Sequence, residues 1–425
     1  MSLRSKLGRR KERGSDLSSR APDRAALLEG LRREMVRIAA RHAPRTEPQE
    51  TPPPRGDDEE ELPGAEVRTS VGPVLVRRWT YAADHCHGRE PVAGFLAPGP
   101  GLGALGRVPA IEGLPRTSAL FMDTETTGLS GGAGTLPFLV GLGRVAPSGS
   151  FELVQILARE PCEEPALLEV LVAELEGAAY WVTFNGRAFD LPLLNTRFVI
   201  NRMKNPGAAW PHLDLLHAAR RVFGRRLADR SLVSLEDAVL GFRREGDIPG
   251  GLIPAVYADF LRGGPAAPMI AVLEHNANDL VALAALGGVL ERMYGDPAAV
   301  AHADDHVGLA RSAIDAGERA IAEEHLGRAG DAAGEDARRV ALHLLARAAA
   351  RRGESDPARD LWLELVADDP ADGFAHLALA KHFEHREHDF ARAAEHARMA
   401  AEAEGDEAAE RRRTRLSRKK EKNDG

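Results

Sequence analysis

Asp123 and Glu125 stand two residues apart, directly after the apolar run Ala119-Leu120-Phe121-Met122. If that run is a buried strand, its period of two carries both carboxylates out on one face at the strand end. Clustered carboxylates repel one another unless a proton or cation sits between them. Asp-x-Glu at this place is therefore a natural first half of a hard-metal site. Two later acidic positions could supply the second half. Asp190 closes Asn185-Gly186-Arg187-Ala188-Phe189-Asp190 after the apolar run Tyr180–Phe184, beside a strand end, where ligand sites gather in α/β sheets. Asp279 lies four residues after His275 in His275-Asn276-Ala277-Asn278-Asp279, so both project from one face of a helix.

These positions need a scaffold, and the chain between 117 and about 295 reads as one α/β domain. Ala119–Met122 is expected as a short buried strand, with Phe138–Val145 and Phe151–Ala158 joined by a hairpin turn at Pro147-Ser148-Gly149. Ala166–Leu175 has helical spacing, Tyr180–Phe184 is a further strand, and Pro192 opens a helix. Leu213–Leu216 could be another strand, Ser234 starts a short helix with a capping-box pattern, and Met269–Tyr294 is a long helix. Hairpin strands followed by alternating strands and helices predict a mixed sheet flanked by helices.

The flanking regions differ in character. Residues 1–65 combine charge runs with Pro52-Pro53-Pro54 and read as disordered, apart from a short helix near Ala25–Ala40. Residues 66–116 read as a small β-containing segment followed by a Gly- and Pro-rich linker, Gly94 to Pro109. From 300 to 410 the chain is Ala-rich and repetitive: Ala310, Gly317 and Ala322 recur 36 residues later as Ala346, Gly353 and Ala358. A weaker third copy has Ala380, 34 residues on from Ala346. This all-α region resembles tetratricopeptide repeats, and the resemblance implies a protein partner. The basic tail, 411–425, reads as disordered.

Composition narrows the classes. Apolar residues make up 44%, enough for cores in two or three domains of a soluble chain. No apolar run in the sequence approaches the roughly 18 residues that span a bilayer, so no membrane span is expected. Cys86 and Cys162 form no CxxC pair or disulfide framework, which points to a reducing cytoplasm. A net charge of -8 does not suit a constitutive DNA-coating protein, though a locally basic groove is compatible with it.

Asp-x-Glu on a strand, then Asn-Gly-x-x-Phe-Asp, then a helical His-x-x-x-Asp, in that order, resembles the DEDD exonucleases of the ribonuclease-H-like superfamily. Thr126-Thr127-Gly128-Leu129-Ser130-Gly131-Gly132-Ala133-Gly134, Leu240-Gly241-Phe242 with Asp247-Ile248-Pro249-Gly250, and His275-Asn276 resemble the bacterial family labelled YprB-like ribonuclease-H-like domain. The resemblance covers about residues 117–290. It implies 3′–5′ hydrolysis of single-stranded DNA or RNA ends. In that scheme Asp123 bridges two divalent cations, Glu125 and Asp279 complete one shell, and Asp190 serves the second. Oxygen ligands select Mg²⁺ or Mn²⁺ over zinc. Thr126, Thr127, Asn185 and Phe189 become candidates for gripping the terminal nucleotide. His275 stands at the spacing used by a tyrosine in other members, so it orients water either with or without accepting its proton.

Competing patterns carry less. Asp214 is a cap or a second-tier site residue, and His85-Cys86-His87 is a turn without zinc-like partners. Gly101-Leu102-Gly103-Ala104-Leu105-Gly106 matches the dinucleotide fingerprint, yet Pro98 and Pro100 break any preceding strand. Gly131–Gly134 lacks the Gly-Lys-Ser/Thr ending of a phosphate loop. The alternative to an enzyme is a non-catalytic nucleic-acid-binding or scaffold protein that recruits partners through its helical repeats.

Overall fold

The computed structural model describes residues 61–128, 134–331, 335–400 and 405–423. The expected disorder of residues 1–60 and most of the Gly131–Gly134 segment lie outside the described residues. Strands β1 (Ala65–Thr69) and β2 (Gly72–Tyr81) form a hairpin, and β3 (Cys86–His87) and β4 (Glu90–Pro91) a two-residue ladder. After the short helix α1 (Gly101–Gly106) come β5 (Ala119–Thr126), β6 (Pro137–Val145) and β7 (Phe151–Leu157). Helix α2 (Glu164–Glu174), β8 (Tyr180–Thr183), α3 (Asp190–Ile200), β9 (His212–Asp214) and α4 (Leu215–Phe223) alternate from there. Helices α5 (Leu232–Leu235), α6 (Ile253–Phe260) and α7 (Ala267–Gly295) complete the domain.

The seven-stranded sheet has the order β1-β2-β7-β6-β5-β8-β9. Pairings from β1 to β5 are antiparallel, whereas β5, β8 and β9 run parallel. This is the expected mixed sheet with helices on both faces. Along β5 the alternation is strict: Ala119 and Phe121 enter one core with Leu280–Leu286 of α7, while Leu120 and Met122 enter another with residues of α2 and α3. One-residue steps thus send the chain's apolar run to two separate layers. Helix α7 is apolar enough to cross a bilayer by length and composition, with a mean hydropathy of 1.2, but 67% of that window is buried inside the fold. Its apolar residues form no unbroken run because Glu274, His275, Asn276, Asn278 and Asp279 interrupt them.

Several expectations need correcting. β2 pairs with β7 along seven residues, so the sheet runs straight through the boundary expected near 117. Gly94 to Pro109 is not a linker: it contains α1, whose six residues are all buried. The N–H groups of Gly101 and Leu102 donate to the Glu291 carboxylate of α7 at 2.8 and 3.0 Å, and Arg116 binds that carboxylate at 2.6 Å. The fingerprint-like glycines therefore hold an internal carboxylate at a helix N-terminus, where a nucleotide would place its phosphate. β5 extends four residues beyond the apolar run. Leu215 and Leu216 begin α4 rather than ending a strand, because the Asp214 side chain caps the helix at Leu216 N. Ser231, not Ser234, is the cap of α5.

Beyond α7 the chain is helical: α8 (Ala303–Ala316), α9 (Arg319–Asp331), α10 (Glu335–Arg351), α11 (Ser355–Asp368), α12 (Gly373–His382), α13 (Phe390–Met399) and α14 (Asp406–Asn423). Ala310, Ala346 and Ala380 are all fully buried, and consecutive helices pack on one another. Helix α8 rests on α4 and α1, fixing this region to the sheet domain. The tail expected to be disordered is largely helix α14. Arg412, Arg415 and Lys419 converge on the buried Glu384 carboxylate at 2.7–3.0 Å.

Candidate metal centre

Asp123 and Glu125 project from β5 toward α7, and their strand pairs with β6 on one side and β8 on the other. Register puts Asp123 opposite Gly141. A Cβ at Gly141 would lie 2.1 Å from Asn276 Oδ1, so glycine is what lets α7 come down on the sheet here. In that space Asn276 donates from Nδ2 to Asp123 Oδ2 at 2.8 Å and accepts at Oδ1 from Gln155 Nε2 at 2.8 Å. Asp190, at the start of α3, arrives from beneath the other face and accepts from Thr124 Oγ1. Asp279 and His275 come down from α7, four residues apart as expected.

The carboxylates act on one another. Burial, followed by the charges of Asp279 and Asp190, pushes the Asp123 carboxyl well above its usual range. Burial and the charges of Asp123, Asp279 and Asp190 do the same to Glu125. Burial pushes Asp190 up to about 6, against the hydrogen bond from Thr124. Three acids raised by burial and by neighbouring carboxylates are what a site short of positive charge produces. Their donor set, all carboxylate oxygen, fits Mg²⁺ or Mn²⁺. The oxygens are not gathered in advance, however: among the described residues no three His, Cys, Asp or Glu side chains form a ready ligand cluster.

A residue that the sequence did not single out also reaches these acids. Arg244, its side chain only 3% exposed, binds Asp279 Oδ1 through Nη2. It also binds Glu236 at 2.7 Å and Asp247 at 2.9 Å. Burial works to lower this guanidinium, but the surrounding carboxylates outweigh it and raise it. Glu236 in turn accepts from His87 at 2.7 Å, so His85-Cys86-His87, expected as a turn, instead contains strand β3 and delivers a buried histidine to the same network.

His275 Nδ1 lies 2.8 Å from both oxygens of Asp247, and its Nε2 lies 3.8 Å from Asp279. Burial works to lower the imidazole, while the bond to Asp247 and the charge of Asp279 raise it on balance. Burial would raise Asp247, but His275 and Arg244 hold it below its ordinary value. An ionised carboxylate can only accept, so Nδ1 carries the proton and Nε2 is left facing the acidic cluster.

The remaining candidates divide. Asn185, with φ of 67°, and Arg187 donate their backbone N–H groups to Asp214 at 2.8 and 3.1 Å. Asp214 therefore shapes the loop into Asp190 as well as capping α4. Phe189, beside Asp190, is 53% exposed. Thr126 donates to the Gly128 carbonyl, and Thr127 accepts from Leu136 N, so both hydroxyls are engaged in the turn that follows β5.

Residues 120–290 match the family model described as RNase_H superfamily. The chain is also 34% identical over 220 residues to the uncharacterized protein YprB of Bacillus subtilis (strain 168). That alignment covers 50% of this chain and 52% of the relative, so the chain spans about half the length of the protein it matches.

Proposed function

We propose that this chain is a metal-dependent nuclease that hydrolyses phosphodiester bonds of nucleic acid, acting 3′ to 5′ on single-stranded ends. What carries the reading is the convergence of Asp123, Glu125, Asp190 and Asp279 from three elements into one neighbourhood, where the charges of Asp190 and Asp279 act on both Asp123 and Glu125. The RNase_H superfamily match over the same residues supports it. These four side chains would hold two Mg²⁺ or Mn²⁺ ions. Bound there, the ions supply activation of a water and charge stabilisation at the leaving oxygen.

The chain's own residues do the rest. Asn276 fixes the Oδ2 oxygen of Asp123. Asp247 orients His275 with Nε2 toward the cluster, where it can take a proton from the attacking water. Arg244 holds Asp279 until substrate or cation competes for it. Phe189, exposed beside Asp190, offers an apolar face to the terminal base.

One observation favours a second reading, a non-catalytic nucleic-acid-binding or scaffold protein: the Arg244–Asp279 ion pair satisfies a ligand position with a fixed cation. Incubation of end-labelled single-stranded RNA and DNA with Mn²⁺ separates the two. A ladder of products shortening from the 3′ end, absent for Asp123→Ala and for substrate with a blocked 3′ end, is the outcome expected of the nuclease. Binding without any metal-dependent cleavage would leave the second reading.

A further inference from the structure

Each of Ala310, Ala346 and Ala380 is followed by a cation: Arg311 on α8, Arg347 on α10 and Lys381 on α12. All three cations are exposed. Among the described residues none of them has an ion-pair partner. In the same region Arg319, Arg338, Arg339, Arg352 and Arg359 each bridge a carboxylate, whereas Arg328, Arg351 and Arg398 also stand without an ion-pair partner among the described residues, so it is the recurring position of the three cations that sets them apart. Three unneutralised charges thus recur at the same position of alternate helices, one per hairpin.

Around the third cation lies a groove of about 340 Å³ whose lining includes Trp362, Phe374, Leu377, Lys381, His385 and Arg386. Phe374 is 70% exposed. Phe374, Leu377 and Lys381 fall on one stripe of α12 and its continuation at His385. Arg386, also exposed, likewise has no ion-pair partner among the described residues. A row of cations beside an exposed aromatic face is the combination that holds single-stranded nucleic acid, charge for the phosphates and ring for the bases.

Further basic side chains stand between the acidic site and α8. Arg187, on the loop into Asp190, and Arg107 both lie close enough to Arg221 for their charges to act on it, as does Asp315 of α8. Arg107 binds Asp315 at 2.5 Å, and Asp315 sits one helical turn beyond Arg311. Arg187 and Arg221 thus stand between the strand ends and α8, where Arg107 is paired with Asp315. An acidic peptide would match the charge but has no reason to follow a path from a carboxylate cluster.

We propose that Arg311, Arg347, Lys381 and Phe374 form a cationic track with an aromatic floor that holds the single-stranded polynucleotide whose end enters the acidic site. The proposal rests on the nuclease reading for its choice of ligand, but its test does not need catalysis. Binding of a fluorescein-labelled oligothymidylate to the full chain is followed by anisotropy in EDTA across a salt series. The triple substitution Arg311→Gln, Arg347→Gln, Lys381→Gln should weaken binding about tenfold and lower the slope of log Kd against log salt by about 2, since each phosphate contact on a single strand contributes roughly 0.7. Phe374→Ala should weaken it about tenfold with the salt slope kept, the signature of lost stacking. Unchanged thermal midpoints would establish that both variants fold. Wild-type affinity and slope in the triple variant would overturn the track. So would a polyglutamate peptide that binds as tightly and displaces the oligonucleotide. A wild-type chain that binds through these residues yet cleaves nothing would remove the nuclease reading and leave the track standing.

Discussion

Asn276 of α7 donates from Nδ2 to the Oδ2 of Asp123 on β5 across 2.8 Å, and no part of Asn276 is exposed. One buried amide thus sets both the seat of the long helix on the sheet and the orientation of the first acidic residue. Replacing it by Ala strips a donor from Asp123 and an acceptor from Gln155 Nε2, and leaves a void. Asn276→Ala should cost about 2 kcal/mol of stability, read from urea unfolding followed by tryptophan fluorescence. An unchanged midpoint would mean the helix seat does not depend on this amide.

Asp247 fixes His275 through Nδ1 at 2.8 Å. Asp247→Asn keeps the shape but removes the ionised acceptor that selects the tautomer. On the nuclease reading kcat should fall about 10- to 100-fold with KM held, the usual size of an orienting partner's contribution. A change confined to KM would place Asp247 in substrate binding instead.

His306 and His325 meet at 2.8 Å through their Nδ1 atoms, and His325 Nε2 lies 3.2 Å from the Tyr294 carbonyl. Such a pair tolerates one shared proton, not two. Burial holds His306 down to about 4 and lowers His325 as well, each strengthened or offset by its neighbours. Because the folded values lie below the ordinary 6.5, the unfolded chain binds protons first as pH falls. Thermal midpoints should therefore drop between about pH 6.5 and 4, and His306→Asn should flatten part of that slope. Parallel profiles for the two proteins would contradict the pairing.

Glu384 anchors α14 through Arg412, Arg415 and Lys419. Burial alone would raise it, but the hydrogen bonds from Arg415 and Lys419 dominate together and hold it at about 2. A depressed carboxyl contributes stability that is present above its ordinary value of 4.5 and is lost as pH falls toward 2. Glu384→Gln should free the helix at neutral pH, seen as rapid tryptic cleavage after Arg411 to Arg418 while the sheet domain stays intact. Equal protection in wild type and variant would show that α14 is held by other contacts.

The acidic residues were readable because each follows an apolar run or shares a helical face with His275. Their meeting, however, is tertiary: the charges of Asp190 and Asp279 reach Asp123 from separate elements. The partners of that cluster were not readable in the same way. Arg244 lies 35 residues before Asp279 on a segment without periodicity, and only the fold brings them together. Asn276 was visible as part of a motif, but its grip on Asp123 depends on the missing side chain at Gly141 across the strand pair. The glycines of α1 misled for a physical reason. In an exposed segment they would favour a loop, whereas here a Cβ at Gly101 would strike Tyr294 at 2.8 Å. The basic tail looked solvated because its counter-charge, Glu384, lies on a distant helix.

Asp123, Glu125 and Asp190 are raised first by burial and then by neighbouring carboxylates, Asp214 in the case of Asp190. Acids raised in the fold favour it most below their ordinary value and withdraw that support as pH rises through the folded value, about 6 for Asp190. Near neutral pH the metal-free cluster is therefore strained, and a divalent cation should relieve it. Calorimetric titration of Mn²⁺ into the full chain near neutral pH tests this directly. Two ions bound with release of protons are expected for the wild type, and neither high-affinity ion for Asp123→Asn, whose metal-free form should melt at a higher temperature than the wild type. A wild-type chain that takes up no Mn²⁺, or a variant that binds the same two ions, would contradict the carboxylate cluster's role as a metal centre.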